Sequence, residues 1–139
     1  MKRQVMYLII GLIFIFIGWG RTEAETVYTF VREGVVNGVD YATGGIGIEE
    51  RAEMNQMAKR YNLKLSFAEL SGEYLSGVMV TIKNNDNKTL IDKESQGPWF
   101  LFQLPEGDYK IIVSHNHQAK TEMMKVDQQL QTLLFHWAS

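Results

Sequence analysis

Gly97-Pro98-Trp99-Phe100-Leu101-Phe102-Gln103-Leu104-Pro105-Glu106-Gly107-Asp108-Tyr109-Lys110-Ile111-Ile112-Val113 is the densest apolar run outside the N-terminal segment. It reads as two β-strands joined by a tight Pro-Glu-Gly turn. Aromatic and β-branched residues fit a pleated surface, and proline and glycine punctuate it. Side chains alternate along a strand, so Trp99 and Leu101 share one face and Phe100 and Phe102 the other.

The same period extends in both directions. Leu63, Leu65 and Phe67 alternate with Lys64, Ser66 and Ala68, and Val78, Val80 and Ile82 with Met79, Thr81 and Lys83. Asn84-Asn85-Asp86-Asn87 marks a turn, because Asn and Asp tolerate left-handed backbone and bond their own neighbours. Residues 88–94 return as a partner strand. Beyond Val113, His115-Asn116-His117-Gln118 turns the chain into strands over 120–126 and 129–137. About seven short strands with regularly spaced turns predict a mainly β, antiparallel sandwich over 62–139.

Residues 48–61 break the pattern. Met54, Met57, Ala58 and Tyr61 recur at helical spacing, with Glu49, Glu50, Glu53, Lys59 and Arg60 on the other faces, which predicts one amphipathic helix. Acidic residues in its first turns and basic ones in its last suit the helix dipole. Asn62 is its stop. Residues 25–47, with Gly34, Gly38, Gly44, Gly45 and Gly47, read as a glycine-rich entry segment, apart from a short strand at 27–31.

The start of the chain gives a compartment. Met1-Lys2-Arg3-Gln4 is basic, residues 5–19 are apolar apart from glycine, and Thr22 and Ala24 place small residues before Glu25. Together these describe a secretory signal peptide over 1–24. The apolar run falls short of the roughly 20 residues of a spanning helix, so a membrane role enters only if this segment stays uncleaved. The expected location is periplasmic or secreted. The 139 residues make one domain, and net charge −2 leaves no electrostatic footprint for nucleic acid. With no cysteine, disulfides, thiolate metal sites and a cysteine nucleophile are excluded, and the exported domain relies on its core.

Leu104-Pro105-Glu106-Gly107-Asp108-Tyr109, followed by Ile111 and Val113, resembles the carboxypeptidase regulatory-like domains, a transthyretin-like, Ig-like β-sandwich group. Gly97-x-Trp99-x-Leu101 and Ser76-Gly77-Val78-x-Val80 fit the same pattern, so the likeness covers roughly residues 63–126. The entry segment and helix also resemble those of small exported bacterial proteins. This resemblance implies an accessory module, and that Trp99 and Leu101 face the sandwich interior. Phe100, Phe102 and Ile112 would then point outward as an apolar patch. The helix face of Met54, Met57, Ala58 and Tyr61 is the expected cover; a protein, peptide or carbohydrate partner is the alternative. The Tyr-Arg-Gly-Ser tail of transthyretin-like urate-pathway hydrolases is absent, since the chain ends His136-Trp137-Ala138-Ser139.

No serine carries a nucleophile-elbow signature, and Glu49-Glu50 reads as a solvated helix face. Gly44-x-x-Gly47 is an incomplete phosphate-loop pattern. His115 and His117 straddle a turn, and Met54-x-x-Met57 would suit Cu(I) but has the spacing of a packing stripe. The sequence calls for no cofactor, metal site or catalytic residue. Its leading expectation is a non-enzymatic exported binding domain; the alternative is a periplasmic copper- or zinc-handling protein using histidines and methionines.

Overall fold

The computed structural model describes residues 31–138. The signal peptide expected over 1–24, and the strand expected at 27–31 apart from Val31, lie outside the described residues; Val31 itself is not in a strand. Among the described residues nine strands and one helix follow in order: β1 (Arg32–Val36), β2 (Val39–Gly44), α1 (Ile48–Met57) with a 3-10 turn (Ala58–Arg60), β3 (Leu63–Glu69), β4 (Met79–Lys83), β5 (Thr89–Glu94), β6 (Trp99–Gln103), β7 (Gly107–His115), β8 (Gln118–Val126) and β9 (Gln131–Trp137). They form two sheets, β1-β2-β6-β3-β9 and β5-β4-β7-β8, packed as a sandwich. All pairings are antiparallel except β3 with β9.

The seven strands expected beyond residue 62 are β3 to β9. The other two come from the stretch expected to be a loose entry. Asn37 and Gly38 both take positive φ (50° and 76°), so Val36 pairs with Val39 across a two-residue turn, and β2 then adds to β6. The glycines that argued against an element here sit in that turn, at the strand end, and beneath the Tyr41 ring at Gly34.

The opening stretch does not form a hairpin. β6 lies in one sheet and β7 in the other, so Leu104-Pro105-Glu106 carries the chain across the sandwich as an arch. Tyr109 fastens that arch by donating its hydroxyl to the Pro105 carbonyl, as the tyrosine corner does in immunoglobulin-like sandwiches.

Both faces of β6 are buried, in the opposite sense to that expected. Phe100 and Phe102, stacked with centroids 4.4 Å apart, join Leu63, Leu65 and Phe67 against Val80, Ile82, Ile111 and Val113 in the inter-sheet core. Trp99 and Leu101 instead lie under α1, with Ala42, Met54, Met57, Ala58 and Tyr61. Register decides this: Phe100 stands opposite Leu65 and Phe102 opposite Leu63, on the face those leucines share, while Leu101 stands opposite Lys64.

Asn62, expected only to end the helix, is a buried tie. Its Nδ2 donates to the Leu104 and Asp127 carbonyls (2.7 and 3.0 Å), and its Oδ1 accepts the Leu104 N–H at 2.8 Å. Its backbone carbonyl accepts from Gln131 at 3.1 Å, so one residue joins the helix exit, the arch and the start of β9. Among the described residues no helix is long and apolar enough to cross a membrane.

Candidate functional site

The residues nominated as an interaction patch do not meet. Phe100 and Phe102 are fully buried in the inter-sheet core and form no exposed patch. Ile112 is half-buried on the outer face of the other sheet, between Thr81 and Thr121. The expectation that these three form one exposed patch is therefore corrected. The helix does cover β6, but over Trp99 and Leu101.

The histidines diverge as well. The His115 ring stands edge-on to Trp137 at 5.8 Å, His117 occupies a left-handed turn position (φ 62°), and His136 is exposed on β9. Met54 and Met57 are buried beneath the helix. No cluster of three or more His, Asp or Glu among the described residues could hold a metal ion. Glu50 is not on a solvated face: it is buried, and its Oε1 accepts the Gly45 N–H at 3.3 Å. Arg51 donates to the Gly45 carbonyl at 2.9 Å. A side-chain carboxylate thus already takes the amide that an anion-binding reading of Gly44-x-x-Gly47 would use.

A different set of side chains converges where the β1–β2 hairpin meets the edge of β5. Arg32, Tyr41, Thr43, Lys93, Glu94, Gln96 and Phe100 line a cleft of about 220 Å³. Its frame is fixed: Asn37 Nδ2 donates to the Leu90 carbonyl at 2.9 Å, and Thr43 Oγ1 accepts the Gln96 N–H at 3.0 Å and donates to the Trp99 carbonyl. The Tyr41 ring packs edge-on against Phe100, with the Lys93 ammonium 5.0 Å from its centre. Among the described residues Arg32, Lys93 and Glu94 have no ion-pair partner; the one ion pair there joins Arg60 to Glu33. The cleft thus offers two cations, one carboxylate and an aromatic wall. That set can orient a polar or anionic ligand, and it contains no nucleophile held by a base. Of these, sequence reading nominates Phe100 alone; Arg32, Tyr41 and Thr43 escape it because the hairpin reads as a loop, and Lys93, Glu94 and Gln96 because only the fold brings them to that hairpin. The detectable signal was Asn37-Gly38 between valines, a strong hairpin mark.

On the opposite face of the five-stranded sheet, Lys64 lies half-buried with its Nζ 3.4 Å from the centre of the Trp99 ring. Burial pushes its pKa below 10.5, while the ring's negative face favours the charged form. Tyr61 and Tyr109 have hydroxyls pushed above 10.0, chiefly by burial, with Glu33 adding to the effect at Tyr61.

No family model matches the chain, and no curated protein matches it.

Proposed function

We propose that this chain is an exported, non-enzymatic accessory domain that binds a protein or carbohydrate partner, and that it is a carboxypeptidase regulatory-like module of transthyretin-like build. The observation that carries the binding role is the cleft beside β5, where Arg32, Lys93 and Glu94, without an ion-pair partner among the described residues, surround Tyr41. Export rests on the N-terminal segment, and the family on the Leu104–Tyr109 motif, which here forms a tyrosine-fastened arch. The metal-handling alternative draws no support from the histidines, which join no metal-holding group among the described residues, or from methionines that pack the helix.

The test is a glycan and peptide array probed with the wild-type chain and with the Arg32→Glu/Lys93→Glu double variant. Signals that the variant loses, with its thermal midpoint unchanged, identify cleft ligands. Signals identical in both proteins would remove the cleft from consideration.

A further inference from the structure

Four strands bound the two sheets: β1 and β9 in one, β5 and β8 in the other. An edge strand displays unpaired backbone groups and invites pairing with another chain unless it is short, bulged or marked by inward charges. Three of the four are so marked. β1 has five residues and turns Arg32 to the inner side. β5 has a bulge at Leu90, whose carbonyl Asn37 caps, and turns Lys93 inward beside Val80. β8 places Lys120 and Glu122 opposite the buried Val113 and Ile111.

β9 has none of these. It runs seven residues with no proline, glycine, Lys, Arg, Asp or Glu, and its register with β3 is unbroken. Gln131 N–H donates to the Asn62 carbonyl and the Trp137 carbonyl accepts from Leu70. Alternation then assigns the backbone groups of 131, 133, 135 and 137 to β3, and leaves the N–H and C=O of Thr132, Leu134 and His136 facing outward. Leu134 is 65% exposed and Leu70, beside the end of β9, is 70% exposed; α1 covers only the β2–β6 half of this face.

We propose that two copies of this chain pair through their β9 edges, antiparallel about a two-fold axis at Leu134, joining two five-stranded sheets into one. A second copy fits because this edge, unpaired among the described residues, is complementary to itself. Leu134 meets the partner's Leu134, and Thr132 meets the partner's His136, so hydroxyl faces imidazole and no like charges oppose. Two-fold closure uses up both edges and stops further growth.

Light scattering of the full chain over a concentration series reads the association. A dimer is expected for wild type, and monomers for Leu134→Lys and Leu134→Pro. The proline removes only an outward N–H, so its thermal midpoint should stay near wild type. If Leu134→Pro fails to fold, Leu134→Lys carries the test. In this cysteine-free chain, L134C should form a covalent dimer with a short bis-maleimide, and T121C, on β8, should not. A wild-type monomer at about 0.1 mM, or a dimer that persists in Leu134→Lys, overturns the proposal.

Discussion

The two flanks of the sandwich are built from similar parts and finished differently. On one, the β1–β2 hairpin meets β5: a side chain caps a stray carbonyl, a lysine points inward over a tyrosine, and a polar cleft remains. On the other, β9 ends the sheet with an uncharged edge and a leucine in solvent. The first flank closes its strand edges with charge and so becomes a place for small polar ligands. The second leaves hydrogen-bonding groups and apolar surface side by side, which suits another strand.

Asn62 supports the open flank from below, and its loss gives the largest effect. Asn62→Ala orphans the buried Leu104 N–H and removes two carbonyl partners, so a loss of about 3 kcal/mol is expected by denaturant unfolding. A loss below about 1 kcal/mol would mean that β9 is held by its β3 ladder alone.

The two-residue turns offer a matched comparison, since Asn37-Gly38 serves the closed flank and Asn116-His117 the open one. Gly38→Ala forces a side chain into left-handed backbone and should cost about 1 kcal/mol or slightly more, whereas His117→Gly should gain a similar amount. Equal and opposite shifts in thermal midpoint would show that both turns contribute through backbone conformation alone.

Tyr109→Phe removes the bond to the Pro105 carbonyl and should cost about 1 kcal/mol. Because burial raises the Tyr61 and Tyr109 pKa values, the fold favours their neutral forms. The associated stability is complete below pH 10.0 and is lost as pH rises through the raised values. Phenolate absorbance during an alkaline titration should show late-ionising tyrosines, with one fewer in Tyr109→Phe.

The smallest effect on stability is expected at Lys93. Lys93→Val should change unfolding by about 0.5 kcal/mol or less, yet raise the tendency to self-associate in light scattering. If it leaves association unchanged, the inward charge is not what keeps the β5 edge apart.

Much of this was legible in the residues. Period-two alternation marked β3 to β9 within a residue or two, because a half-buried strand must separate its faces. The helix after Gly47 followed from residue type, but the side of β6 that it covers and the arch at Pro105 did not. The cleft was not legible. It needs Arg32 and Tyr41 from β2 and its hairpin partner beside Lys93 and Gln96, residues more than fifty positions apart, and the Asn37-Gly38 signal was masked by surrounding glycines.

The sequence by itself determined that a helix over 48–61 leads into a β-sandwich, and that Trp99-Phe100-Leu101-Phe102 is apolar on both sides. Only the tertiary structure decided which side is which. Local alternation fixes that neighbours point apart, but pairing with β3 fixes the direction, and pairing is non-local. Opposite Leu65 and Leu63, Phe100 and Phe102 had to enter the inter-sheet core, which left Trp99 and Leu101 for the helix. Non-local pairing likewise turned the apparent hairpin at Pro105 into an arch, since a three-residue link can join strands within one sheet or across two.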